Sequence, residues 1–297
     1  MGIKLFNSFL KNKFKHLIQR KHWDEFYKKK IVIDTNNYIY EFLSEENLVN
    51  GFIKMCEIFL KYKINPLFVF DGKPTEEKTN EIKNRKICRL KSKIEYDNNY
   101  VKLSEKNKKE LRRKFVKVTV VETAIVKELL DFYNMSYIQA PNESDELCCK
   151  LVNIGKVFAC LSNDMDMFIY GCKRIIRNYN SKYQTIDYYD FKNIKEGMNI
   201  SLVSFKYLSI LSNLKNNIYN NYQTYCNYKD NDIKSSFLQY LLDEDIILKN
   251  EFINIENTYK FYDLKNSNVL NKCRYVLIKK PCRTFSINYI KRKLGKY

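Results

Sequence analysis

Six carboxylates in this sequence stand where they could hold metal ions: Asp34, Asp71, Glu143, Asp145, Asp164 and Asp166. Asp34 closes the apolar run IVID (31–34) and Asp71 closes LFVFD (67–71), so each marks the end of a strand. Glu143 and Asp145 lie in PNESDE (141–146), at the start of a helical pattern, while Asp164 ends VFACLSND (157–164) and Asp166 follows two residues later. Taken singly, each has an ordinary structural role as a helix cap, a first-turn acid favoured by the helix dipole, or part of a solvated turn. Gathered on one edge they would repel one another until some took up protons, unless divalent cations neutralised them. Oxygen-only ligands select Mg2+, with Mn2+ as a substitute, over zinc.

The elements that must gather them are legible as hydrophobic patterns. IVID, LFVFD, SYIQA (136–140), VFACLSND and RIIRNY (174–179) read as buried strands, and NLVNGFIKMCEIFLKYKI (48–64), VETAIVKELLDFY (121–133) and SDELCCKLVNI (144–154) have helical spacing. Their alternation predicts an α/β fold, a mostly parallel twisted sheet flanked by helices, whose carboxyl-terminal strand ends share the edge where such folds place ligands. From about 75 to 118 the chain is charged and poor in large apolar clusters, which predicts one or two exposed helices protruding from the sheet. Beyond about 200 the pattern is helical but irregular, and the Asn/Tyr-rich stretch 216–232 reads as a loop.

Charge adds a second constraint. With 53 Lys and Arg against 34 Asp and Glu the net charge is +19, of which an Asn-, Ile- and Tyr-rich composition typical of an AT-rich genome explains part. Position is more telling. Residues 72–118 carry sixteen basic and seven acidic side chains, and residues 271–297 carry nine basic and none acidic. Clustered charge of this kind fits a polyanion, and Lys106, Lys108, Lys109, Arg112, Arg113 and Lys114 are the expected backbone contacts. The nine cysteines include no C-x-x-C pair, so free thiols in a reducing, intracellular compartment are expected rather than a zinc site or a disulfide framework. No apolar run reaches membrane-spanning length, and neither a secretory signal nor a myristoylation signal opens the chain. An acidic, cation-filled edge beside a basic helical segment is a layout for cutting phosphodiesters.

With Met1-Gly2-Ile3, IVIDTNNYIYEFL (31–43), FVFDGKP (68–74), QAPNESDELC (139–148) and LSNDMD (161–166) in order, the chain resembles the flap endonuclease, or XPG-type, structure-specific nucleases over roughly residues 1–200. The resemblance implies a PIN-like core, two Mg2+ ions, and cleavage of branched or flapped DNA in replication, repair or recombination. It implies that Asp34, Asp71, Glu143 and Asp145 surround one ion and that Asp164 and Asp166 hold the other. Lys78 and Arg85 would act on the scissile phosphate, and Tyr40 would stack on a terminal base. The expected division is then an N-terminal part of the nuclease core (1–74), the protruding basic helical segment (75–118), an internal part of the core (119–212) and a reduced, divergent helical region with a basic tail (213–297). A monomer is expected, in a nucleus or, for a large DNA virus, a host nucleus or viral replication site.

Departures from the family pattern accompany the resemblance. A further metal-ligand Asp is replaced, in FKYLSILSNLKNN (205–217), by Asn213 or Lys215. No glycine lies between Gly197 and Gly295 to build the family's glycine-containing duplex-binding motif, and no sliding-clamp motif occurs near the C-terminus. Two other readings compete with an active DNA endonuclease: a DNA-binding protein of the same fold with weakened or lost catalysis, and a PIN-type ribonuclease.

Overall fold

The computed structural model describes residues 5–73, 79–100, 103–215, 217–231, 235–264 and 269–272. Its strands are β1 (Ile18–His22), β2 (Lys30–Asp34), β3 (Asn65–Phe70), β4 (Ser136–Gln139), β5 (Ala159–Leu161), β6 (Arg174–Asn180) and β7 (Thr185–Asp190). The described residues fall into two compact units: a first drawn from those within 1–21, 149–179 and 185–268, and a second from those within 22–148, 180–184 and 269–297. No described helix is long and apolar enough to cross a membrane.

In the second unit β2, β3 and β4 lie side by side and parallel, with Ile33 opposite Phe68 and Phe68 opposite Tyr137. Ile31, Val32, Ile33, Phe68, Val69 and Phe70 are fully buried, as the continuous apolar runs of a parallel sheet require. Helix Leu48–Lys61 turns Phe52, Met55, Cys56 and Phe59 to one face by their three- and four-residue spacing. The rings of Phe52 and Phe59 lie 6.4 and 6.2 Å from that of Phe68. The charged segment forms two helices, Thr79–Asn99 and Glu105–Phe115, as its composition predicts. They are joined through buried Tyr96 and Leu111, and the Tyr96 and Phe115 rings meet at 5.1 Å.

The first unit orders its strands β1-β7-β6-β5, with β5 and β6 parallel. The four residues between β6 and β7 are too few for a crossover, so that pair is antiparallel. β1 (IQRKH) and β7 (TIDYYD) were not expected, because neither carries a run of apolar residues. Phe6, Phe168, Phe191 and Phe205 are buried together, with edge-to-face contacts of 5.0–5.8 Å. The expected loop at 216–232 is mostly helix, Ile218–Asp230. Gly and Pro are absent there, the Asn217 side chain accepts from the Asn220 amide as an N-cap, and tyrosines spaced by three residues stack along one face. Tyr225 is buried, packs edge-on against Phe237 at 5.2 Å and donates to the Asn199 carbonyl at 3.1 Å.

That packing carries a measurable cost. Tyr225→Ala should lower unfolding stability by about 3 kcal/mol in urea titrations, as for other large-to-small core changes. A loss under about 0.5 kcal/mol, the usual effect at a solvated position, would mean that the helix is not packed as described.

Candidate functional site

Three of the expected carboxylate positions follow directly from the parallel order of β2, β3 and β4. Asp34 ends β2, Asp71 follows β3, and the Pro141–Glu143 turn follows β4, so all leave the same edge of the second unit. Asp34 is 4% exposed. Ser144 Oγ lies 2.8 Å from Asp34 Oδ1 and 2.8 Å from Asp71 Oδ1. The Ser144 amide donates to Asp71 Oδ1 at 2.8 Å, and Asn36 Nδ2 donates to Asp71 Oδ2 at 2.6 Å. Both oxygens of Asp71 are thereby oriented before any ligand arrives.

A hydroxyl has one proton to donate, yet this one faces two carboxylate oxygens. The one hydroxyl cannot donate to both oxygens at once. An oxygen-only donor set of this kind suits a hard divalent cation, Mg2+ or Mn2+. Glu143 and Asp145 are half-buried at the start of helix Ser144–Asn153. Among the described residues no three His, Cys, Asp or Glu side chains are grouped closely enough to hold a metal ion by themselves. The structure thus brings Asp34 and Asp71 together and does not draw Glu143 and Asp145 into a closed cage with them.

Asp71 is placed by a close approach of two chain segments. The Gly72 amide donates to the Asn142 carbonyl at 2.5 Å. A Cβ at Gly72 would press on the Ala140 carbonyl and lie 2.5 and 2.6 Å from the Pro141 carbonyl oxygen and carbon, so only glycine fits.

The first unit carries the other two carboxylates. Asp164 Oδ1 accepts from the Asp166 amide at 2.9 Å, a turn contact just before the short helix Asp166–Ile169. Asp166 is 4% exposed, and the Tyr262 hydroxyl donates to its Oδ2 at 3.3 Å. Buried Arg177 holds the loop between them: it donates to the Asn163 carbonyl, contacts the Met165 sulfur, and reaches Asn7 Oδ1 at 3.3 Å. Nearby, burial first and then Cys172 and Cys160 push the Cys149 thiol well above its ordinary range, consistent with an inert free thiol.

The basic residues divide by environment. Arg112 donates to the Tyr96 hydroxyl at 2.7 Å and pairs with Glu46 at 2.9 Å, while Arg113 pairs with Glu45 at 3.2 Å. These two arginines anchor helix Glu105–Phe115 to the end of helix Thr35–Ser44. Lys108 lies over the Tyr100 ring at 4.3 Å, and Lys114 is exposed. Tyr40 is 38% exposed on helix Thr35–Ser44. Lys78 and Met1-Gly2-Ile3 lie outside the described residues, as do the side chains of Arg85, Lys106 and Lys109. Lys215, one of the two positions expected to replace the family acid, pairs with Glu251 at 2.8 and 3.1 Å, so its charge is compensated. That pairing, first through its hydrogen bond, lowers the Glu251 pKa.

Sequence reasoning missed Ser144, Asn36, Arg177 and Tyr262. Ser144 alone had a signal, as a hydroxyl flanked by acids in PNESDE.

A family model described as the XPG N-terminal domain matches residues 1–92, and one described as the XPG I-region matches residues 134–214, together more than half of the chain. Flap endonuclease 1 of Nitrosopumilus maritimus (strain SCM1) is 32% identical over 177 residues, 53% of this chain and 51% of that protein. Flap endonuclease 1 of Methanococcus aeolicus is 26% identical over 209 residues, 64% of this chain and 63% of that protein. The matched segments therefore span less than two thirds of these relatives. Among solved structures, the catalytic core of Rad2 in complex with a DNA substrate superposes with a TM-score of 0.65 at 19% identity, covering 99% of this chain and 96% of that one. Human GEN1 in complex with Holliday junction DNA gives 0.63 at 16% identity, covering 94% and 70%. These two likenesses establish the mostly parallel sheet flanked by helices as the PIN-like nuclease fold.

Ser144→Ala removes the hydroxyl between Asp34 and Asp71 while leaving the backbone bond to Asp71. It should lower metal-free stability by about 1–3 kcal/mol in urea unfolding at neutral pH, the usual cost of stripping a partner from a buried charged acceptor. Unchanged stability would mean that the hydroxyl does not mediate between the carboxylates.

Proposed function

We propose that this chain, which belongs to the XPG-type family of structure-specific nucleases, is a DNA endonuclease that uses Mg2+ to hydrolyse phosphodiester bonds in flapped or otherwise branched DNA. The observation that carries the reading is the Asp34–Ser144–Asp71 oxygen cluster, at adjacent parallel strand ends of a unit whose basic helical segment suits a phosphate backbone. Asp34, Asp71, Glu143 and Asp145 in the second unit, and Asp164 and Asp166 in the first, are the carboxylates that would hold two divalent ions. When bound, the ions supply Lewis-acid polarisation of the phosphodiester and an activated water.

The remaining work falls to the protein. Asn36 and Ser144 fix the Asp71 carboxylate, so little reorganisation is needed when a cation binds. Lys78 and Arg85 act at the scissile phosphate. Tyr40 offers a ring face on which a terminal base stacks. Lys106, Lys108, Lys109 and Lys114 hold the DNA backbone, whereas Arg112 and Arg113 chiefly hold the helix that presents them. The work belongs to replication, repair or recombination, inside a nucleus or a viral replication site.

A weakened or inactive DNA-binding protein on the same fold has one observation in its favour. Asn213 or Lys215 stands in place of a family acid, and Lys215 is locked to Glu251. Cleavage of labelled flap, nick, gap and junction DNAs with and without Mg2+ separates the two readings. The wild type should cut at least one branched substrate with Mg2+ and none in EDTA, and Asp71→Asn and Asp164→Asn should lose several orders of magnitude in rate while binding DNA nearly as before. Absence of cleavage on every substrate with Mg2+ or Mn2+ would favour the binding protein.

The division among the basic residues is tested by salt. Lys114→Ala should reduce the salt slope of DNA binding by about one. Arg112→Ala should instead lower stability by about 1 kcal/mol with a smaller change in slope. Equal effects in the two assays would contradict the split.

A further inference from the structure

The C-terminal helices carry no residue of the expected site, yet one of their side chains reaches a proposed metal ligand. Tyr262 directly follows helix Lys249–Phe261 and is 1% exposed. Its hydroxyl donates to Asp166 Oδ2 at 3.3 Å across 96 residues of sequence. A buried phenol loses its water and needs a partner in exchange, and here the partner is a carboxylate.

Tyr262 is itself held from three directions. Its ring meets Tyr170 edge-on at 4.9 Å, and Tyr170 caps the end of the Asp166–Ile169 helix, one turn beyond Asp166. The Phe261 ring lies at 5.2 Å. The Tyr262 carbonyl accepts from Lys206 Nζ at 2.8 Å, and Lys206, 4% exposed, is a buried ammonium on helix Leu202–Lys215. A buried charge is costly unless it serves a partner, and this one pins the backbone from which the Tyr262 ring projects. Packing alone does not explain the arrangement, because a phenylalanine would fill the same space without needing the acid.

We propose that Tyr262 is a positioning residue that fixes the Asp166 carboxylate for divalent-metal binding, with Lys206 holding Tyr262 in place. This rests on the reading of Asp166 as a metal ligand. It gives the divergent helical region a task within the site: one hydroxyl engages Oδ2 and sets the plane of the carboxylate, as outer partners of metal ligands commonly do.

Tyr262→Phe deletes the hydroxyl and keeps the ring. Mn2+ titration of the full-length protein, followed by the electron paramagnetic resonance signal of free Mn2+, reads the site without any turnover. Tyr262→Phe should weaken the affected Mn2+ affinity by about 10-fold or more. Its far-UV circular dichroism and its DNA affinity in EDTA should remain as in the wild type. In an Asp166→Asn background the same change should have no further effect, because the carboxylate it positions is gone. Lys206→Met should move affinity in the same direction as Tyr262→Phe.

The outcomes are separable. If Asp166→Asn weakens Mn2+ binding and a folded Tyr262→Phe binds Mn2+ like the wild type, the positioning role is overturned and the metal-ligand reading stands. If Asp166→Asn itself leaves Mn2+ binding unchanged, both fall.

Discussion

Two carboxylates held against one serine hydroxyl set the terms for this protein. Asp34 is almost fully buried, and its Oδ1 shares Ser144 Oγ with Asp71 Oδ1 at 2.8 Å each. Like charges at such range are tolerated only if the surrounding chain fixes them and supplies compensation. The parallel pairing of β2 with β3 brings the two strand ends side by side, and buried Ile31–Ile33 and Phe68–Phe70 keep that register. Gly72 permits the backbone after Asp71 to touch the Ala140–Pro141 segment, which delivers Ser144 to the pair. Remove any one of these and the oxygens part.

The first unit treats its own buried acid in a similar way. Asp166 is approached by the Tyr262 hydroxyl, and Arg177 grips the loop that leads to it. In both units the polar group that orients the carboxylate comes from a distant part of the chain. Such contacts fix how each carboxylate is presented. The helical region after residue 200 supplies one of these contacts through Tyr262, which is buried together with Lys206, and Lys215 is neutralised by Glu251.

Much of this was legible in the sequence, for a physical reason. Apolar runs bounded by turn residues identify buried parallel strands, so β2, β3, β4 and β6, and the acids at or after the ends of the first three, could be read from IVID, LFVFD, SYIQA and RIIRNY. The same rule shortens VFACLSND, of which only Ala159–Leu161 pairs, and it passes over β1 and β7, whose polar sequences are strands only through their neighbours. Asn-rich composition suggested a loop at 216–232, but tyrosines at three-residue spacing supplied a packed face that composition does not report. The acids were visible and their holders were not. Ser144 meets Asp34 across 110 residues and Tyr262 meets Asp166 across 96; the acids flanking Ser144 hint at its contact, but nothing local marks Tyr262. Arg112 and Arg113, read as DNA contacts from charge alone, are tied to Glu46 and Glu45, which only the fold brings near.

The reading proposed for the Asp34–Asp71 pair is that it takes a divalent cation. Thermal unfolding of the wild type and of Asp71→Asn, in millimolar Mg2+ and in KCl of matched ionic strength, tests it directly because a ligand that binds only the folded state raises Tm. The account predicts a higher Tm in Mg2+ than in KCl for the wild type and a markedly smaller difference for Asp71→Asn. Equal Tm values in the two salts for the wild type, or the same Mg2+ gain in Asp71→Asn, would contradict it.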